Sequence, residues 1–219
     1  MDIEQAVRER HSVRKYRKES IPEDIVAKLN EEIEAVNRES GLSVRLALNE
    51  PDCFSGAVLR LTTGFRNADN YFAMIGPDDE SLYEKSGYFG ERLVLLAQQL
   101  GLNTCWAMLC KKGSCQVEKG QKMSIGISVG YGEDQGVPHK NKPVSKIADM
   151  EGAPDWFVKG VEFAMLAPTG MNKQGFRFER DGDKVRIIHG NSALSRIDAG
   201  IVKYHFELGA GKENFTWAD

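Results

Sequence analysis

None of the four cysteines in this 219-residue sequence forms a C-x-x-C pair. Cys105, Cys110 and Cys115 are spaced evenly and Cys53 is remote, so neither a disulfide framework nor a zinc site is expected. Cys105 and Cys110 sit in an apolar stretch and read as small buried hydrophobes. A basic surplus is also missing. With 29 Lys and Arg against 32 Asp and Glu the net charge is -3, which excludes a general nucleic-acid binder. No apolar run approaches the roughly 20 residues of a membrane span. The start, Met1-Asp2-Ile3-Glu4, has neither the basic opening nor the apolar core of a signal peptide, so a cytoplasmic protein is expected. Hydrophobic content of 41% is ordinary for a globular chain, long enough for one sizeable core or two smaller ones fused.

Basic residues are instead concentrated near the start, in Arg10-His11-Ser12-Val13-Arg14-Lys15-Tyr16. Alternate residues of an extended segment point to one side. Arg10, Ser12 and Arg14 would then present two planar bidentate donors around a small hydroxyl, a set suited to a phosphate. A solvated basic loop between helices would contain the same residues. Before it, Asp2–Glu9 can form a short helix with Ile3, Ala6 and Val7 on one face. After it, Ser20 with Glu23 three residues on reads as a capping box, with Pro22 in the first turn. That helix would bury Ile25, Leu29, Ile33 and Val36 and end at Ser40-Gly41.

Strands are expected over Leu42–Leu48, Ala57–Thr62 and Asn70–Ile75, the last closed by Gly76-Pro77. Gly90 to Leu100 is apolar almost all round, with Leu93, Leu96, Ala97 and Leu100 as its main stripe, which marks a central helix. A buried strand or loop follows at Leu102–Trp106, then a strand at Ile125–Val129. Residues 133–146 are polar and carry Lys140, Lys142 and Lys146, the composition of a solvated connector or of a local basic cluster.

The last third resembles an abbreviated copy of the first. A helix opening at Ile21-Pro22 and a strand from Gly41 are matched by a helix opening at Ala153-Pro154 and a strand from Gly175. Each part then has a long helix ending in Leu-Gly, the second with Leu194, Ile197, Ile201, His205 and Leu208 on one stripe. Duplication and fusion of one unit is the expected organisation: 1–132 a first repeat, 133–152 a connector, 153–219 a shorter second repeat. Between the second copy's helix and strand lies Ala167-Pro168-Thr169-Gly170-Met171-Asn172-Lys173-Gln174. Pro168 and Gly170 stop the helix. Asn172 and Gln174 offer donor and acceptor together, the pairing that a pyrimidine-like ring edge presents.

Four pieces of this chain are similar to the FMN-dependent nitroreductase-like family, in the branch where the usual dimer is fused into one chain. They are RHSVRKY at Arg10, GLNTCW at Gly101, GYG with HKNKP between Gly130 and Pro143, and APTGMNKQGFRF at Ala167. The resemblance implies an α+β fold, three-layer α/β/α with an antiparallel-rich sheet and two fused repeats. It implies FMN binding by Arg10, Ser12 and Arg14, with His11 beside the cofactor and Lys140 and Lys142 as a late basic pair on the phosphate. Pro168, Thr169, Gly170, Asn172 and Gln174 would reach the flavin from the second copy, and Trp106, Ala107, Met108 and Leu109 would face its reactive nitrogen. The sequence departs from the family at Gly175-Phe176, where Pro-Trp is common, and at Met108-Leu109, where Glu-Gly is frequent. No side chain pairs as nucleophile and base, so no catalytic residue is nominated.

The resulting expectation is an oxidoreductase that holds FMN tightly, takes hydride from NAD(P)H and passes it by ping-pong exchange to a nitroaromatic, quinone or similar flat acceptor. The competing expectation is a non-catalytic flavin-binding module, a store or a sensor. The partners implied are small molecules, with no nucleic acid and no membrane. A single chain would act as a pseudo-dimer, with further association left open.

Overall fold

Two long helices meet at the middle of the protein because neither has a side chain at the point of crossing. In the computed structural model, which describes residues 1–55, 63–108, 110–111 and 115–218, helix α3 is Ser81–Gln99 and helix α5 is Ala193–Ala210. A Cβ on Gly87 of α3 would overlap the carbonyl oxygen of Ile197, and one on Gly200 of α5 would overlap that of Glu84. The backbones therefore touch, and the flanking residues Leu93, Val94, Ile197 and Ile201 are buried around them.

The remaining helices dress this pair. Helix α1, Ile3–Glu9, is capped by the Asp2 side chain on Gln5 N–H and packs Ala6 and Val7 against Leu95 of α3 and Phe163. Helix α2, Glu23–Ser40, buries Leu29, Ile33 and Val36 and ends at Gly41 in the left-handed region. The expected capping box does not form. Pro22 holds the N-cap position without a side-chain cap, because a proline keeps the residue before it extended and leaves Ser20 upstream of the first turn. Helix α4, Asp155–Ala164, lies against α5.

A four-stranded antiparallel sheet, ordered β1-β2-β4-β3, lies beside α3. Its strands are β1 Arg45–Ala47, β2 Tyr71–Pro77, β3 Asn103–Ala107 and β4 Gln121–Gly130. Strand β2 is buried on both faces. Phe72 and Met74 join the core around α3, while Tyr71, Ala73 and Ile75 join a second cluster with Val13, Tyr16, Phe54 and Phe65. On that far face, among the described residues, the cover is the extended segment through Val13–Tyr16 and a 3-10 turn at Pro51–Phe54.

The second sheet is smaller: β5 Phe176–Asp181 and β6 Lys184–His189 form a hairpin, and β7 Thr216–Trp217 runs parallel to β6. Its Phe178 packs against Phe206 of α5, the two rings tilted by 35° with centroids 4.6 Å apart. The sequence reading missed β7 altogether, since two residues carry no periodicity. The strand expected at Ala57–Thr62 lies outside the described residues. No helix is long and apolar enough to cross a membrane among the described residues.

Candidate functional site

A cleft of about 510 Å³ opens between the large sheet and α5. Its walls come from several parts of the chain, with Thr63, Phe65 and Ile125 among them. Ser12 and Arg14 stand on the N-terminal segment, and Trp106, Ala107 and Met108 on and just after β3. Pro168, Thr169 and Gly170 form the opposite lip, and Leu194, Ile197 and Ile201 of α5 form an apolar wall. The size and the largely apolar lining with few polar groups are those of a cofactor pocket.

The N-terminal segment is held as an extra strand-like edge. Val13 N–H donates to Thr104 O at 3.0 Å, Arg66 N–H to Arg14 O at 2.9 Å, and Tyr16 N–H to Arg66 O at 3.0 Å. Tyr16 plugs the core, with its hydroxyl against Val13 O at 2.7 Å and Ser128 Oγ at 2.6 Å. Alternation then places Ser12 and Arg14 on the cleft while Val13 is buried on the other side.

Arg10 takes a different direction. It sits where α1 ends, 3% exposed, with its Nε 3.7 Å from Glu91 Oε1. That Nε is buried without a hydrogen-bond partner. Burial lowers the guanidinium's pKa and Glu91 raises it. His11 is half-buried beside Gly136, and burial pushes its pKa down, so the ring is neutral at pH 7.

Behind the β3 wall lies a buried polar group that no motif announced. Glu91 of α3 accepts from Trp106 Nε1–H at 2.9 Å through Oε2, and its Oε1 lies 2.9 Å from His205 Nε2 on α5. His205 Nδ1 faces the Phe163 carbonyl at 3.1 Å and must carry a hydrogen, since a carbonyl only accepts. Glu91 and His205 have no exposure. This group ties α3, α5 and the cleft residue Trp106 together. A glutamate two positions before the apolar run Leu93–Ala97 was its available signal.

The lip at 168–174 is strained. Met171, Asn172 and Gln174 have φ of 54°, 52° and 43°, a region that side-chain-bearing residues rarely occupy. Two sets of bonds hold it. Asp198 of α5 receives Gly170 N–H on both oxygens, at 2.9 and 3.1 Å. Thr169 Oγ1 accepts from Gln174 N–H at 3.0 Å.

Gln174, 2% exposed, joins the lip to the 140–142 segment: its Oε1 accepts from Lys142 N–H at 2.7 Å and its Nε2 donates to Asn141 Oδ1 at 3.0 Å. Asn172 Nδ2 donates to Lys140 O at 2.8 Å. The two amides singled out in the sequence are therefore spent on loop-to-loop bonds, and they do not line the cleft. Lys142 Nζ is turned onto Gln174 O at 3.0 Å and borders a separate depression with Lys146 and Arg177. Lys140 is exposed, and Leu109 lies outside the described residues.

Sequence reasoning passed over Asp198, whose carboxyl lines the cleft and whose pKa burial raises to about 6. Its signal was an acidic residue one position after Ile197 and three before Ile201, inside an apolar helical stripe. A second depression of about 620 Å³ lies over α3 and α5 near Tyr88 and Trp217. Its polar groups already bond one another, Tyr88 to Glu207 at 2.5 Å and Lys203 to Glu84 at 2.5 Å, which leaves them little for a ligand.

Residues 2–210 match the family model described as "Putative TM nitroreductase". Among solved structures, a "putative nitroreductase" from Thermotoga maritima is 22% identical, with a TM-score of 0.70 over 95% of this chain and 83% of that one. A nitroreductase-like protein from Streptococcus mutans is 16% identical, with a TM-score of 0.56 over 67% of this chain and 96% of its own. A structure from Parabacteroides distasonis named "Putative NADH dehydrogenase/NAD(P)H nitroreductase" is 16% identical, with a TM-score of 0.52 over 68% of this chain and 97% of that one. No curated protein matches. With a cleft joined from its first and last thirds, and a family model matched over nearly its whole length, this chain belongs to the nitroreductase family.

Proposed function

We propose that the cleft binds one FMN per chain and that the protein is an NAD(P)H-dependent reductase of flat acceptors such as nitroaromatics and quinones, working by ping-pong exchange. The observation that carries this reading is the meeting of Ser12 and Arg14 with Pro168, Thr169 and Gly170 on one apolar cleft, from opposite ends of the sequence. The residues fit the group. The apolar walls suit a flat ring system, and a guanidinium and a hydroxyl stand at one side. Arg10, just before them in the chain, keeps one buried N–H, its Nε, that no described residue hydrogen-bonds, with Glu91 as its counter-charge. The name of the Parabacteroides distasonis relative supports the choice of reductant.

FMN, when bound, supplies the capacity to accept a hydride from NAD(P)H and to deliver it to a second substrate. The chain's own part is to hold and orient. Arg10 and Ser12 are the proposed phosphate ligands, and Arg14 holds negative charge at the pyrimidine edge. His11 contributes a neutral donor or acceptor beside them. Trp106, fixed by Glu91, keeps one wall flat, and the Pro168–Gly170 lip closes the other side and excludes water. Lys140, Lys142, Asn172 and Gln174 act at one remove, by keeping the lip in its strained conformation. The two ends of the chain thereby supply what two subunits would, so a single chain suffices for one site.

Arg10→Ala is expected to weaken FMN about ten- to a hundredfold more than it weakens riboflavin, because a guanidinium–phosphate pair contributes on the order of 1.5–3 kcal/mol. Comparing the two ligands cancels any general loosening caused by the lost Glu91 contact. Equal weakening of both would remove Arg10 from the phosphate.

A further inference from the structure

Arg14 and Asp198 are the charged residues of the described cleft wall, one on the N-terminal segment and one on α5. No ion pair joins them. Arg14 stands where the cofactor's negative edge is proposed to lie. Asp198 stands on the other side, next to the strained lip and among Leu194, Ile197 and Ile201. The Gly170 N–H is shared between its two oxygens, while a carboxylate has about four lone-pair sites. The unused acceptor capacity borders the cleft, beside the apolar side chains of Leu194, Ile197 and Ile201. Lys173 on the lip acts on it through space without forming an ion pair. From the opposite wall the groups facing it are Arg14 and the thiol of Cys105, which burial pushes up and so keeps neutral.

We propose that Asp198 is a specificity-determining residue of this cleft, selecting flat electron acceptors that carry a cationic or hydrogen-bond-donating substituent over those that carry a carboxylate. The inference rests on reading the cleft as the place where flavin and acceptor meet. A donor-bearing substituent completes the shell of a carboxylate that Gly170 fills only in part. A carboxylate-bearing acceptor placed against Asp198 meets a like charge, which costs affinity on the same scale that a charged hydrogen bond adds. Selection follows protonation. Asp198 is charged above about pH 6 and neutral below it, so the preference is present at neutral and alkaline pH and fades on acidification.

The test uses two probes of one shape and opposite charge, 4-nitrobenzamidine and 4-nitrobenzoate, both of which keep their charge across the range used. Dissociation constants are measured on the FMN-loaded protein from the change in its flavin absorbance. At about pH 8 the amidine is expected to bind on the order of ten- to a hundredfold more tightly than the benzoate. In Asp198→Asn, which keeps an acceptor for Gly170 N–H and removes the charge, the ratio is expected to fall to within about threefold. In the unaltered protein the ratio should shrink likewise by about pH 5. That series needs no variant, so it decides the matter if the substitution loosens the lip. A ratio that stays constant with pH, an unchanged ratio in Asp198→Asn, or no binding of either probe overturns the proposal. Should the protein take up no FMN, the flavin reading fails on its own. The same pair is then titrated against the flavin-free protein by tryptophan fluorescence, where a charge preference lost in Asp198→Asn still supports the assignment.

Discussion

Gly200→Ala is expected to destabilise the protein by about 3 kcal/mol or more, and Gly87→Ala by a similar amount. At most helix crossings an added methyl displaces a flexible side chain. Here it meets backbone: the Glu84 carbonyl and Tyr88 N–H oppose Gly200, and the Ile197 carbonyl and Ile201 N–H oppose Gly87. Neither helix can yield locally, because α3 is packed against β2, β3, β4, α1 and α2, and α5 against α4 and β6. The helices must separate along their length, and the cost is a large share of a total stability of about 5–15 kcal/mol. The cleft should fail along with the fold, since Ile197, Asp198 and Ile201 belong to the α5 turns that would move. Denaturant titration measures the effect. Gly175→Ala is the control, because nothing lies within 4 Å of a Cβ there, and it should be nearly neutral. Equal midpoints for Gly200→Ala and Gly175→Ala would show that the helices do not touch as described.

Glu91→Ala should cost about 3–5 kcal/mol, a drop in melting temperature of roughly 10 °C. The loss is not that of one attractive pair. It comes from leaving His205 and the Trp106 N–H in the interior without the carboxylate they bond, and the Arg10 guanidinium without its counter-charge. Glu91→Gln provides the comparison: an amide still accepts from Trp106 and donates to His205 Nε2, while His205 Nδ1 keeps Phe163 O. It is expected to cost only about 1–2 kcal/mol. Because Trp106 lines the cleft, Glu91→Ala should also broaden and shift tryptophan emission in the folded fraction. Equal losses for Ala and Gln would show that the side chain contributes packing and no polar contacts.

The contrast between these two groups explains how much the sequence disclosed. Regular periodicity was legible: α1, α2 and α5, the strands β2, β4 and β5, and the apolar character of α3 follow from side-chain spacing, although β3 stood between strand and loop and α3 begins at Ser81, well before Gly90. The two ends of the cleft were legible as residue types, through Arg14 and Ser12 on one side and Pro168 to Gly170 on the other. What a side chain does with its neighbours was not. Arg10 shares the alternation of Ser12 and Arg14 but stands at the end of α1, where the chain turns inward toward Glu91. Asn172 and Gln174 looked like ligand-facing amides and are instead fastened to the 140–142 segment, a partnership across about thirty residues that no local pattern encodes. Asp198 and Glu91 were hidden because helical spacing reports the face a residue shares and says nothing of what opposes it. The helix contact at Gly87 and Gly200 was hidden for the same reason.

The central claim is that this one cleft holds one redox-active FMN. It is tested most directly by anaerobic titration of the purified protein with NADH and with NADPH, following the flavin absorption band. The account predicts a yellow protein whose band bleaches fully at about one equivalent of nucleotide per chain and returns when a quinone is added. A colourless protein that takes up no FMN, a bound flavin that neither nucleotide bleaches, or an end point at two equivalents per chain would contradict it.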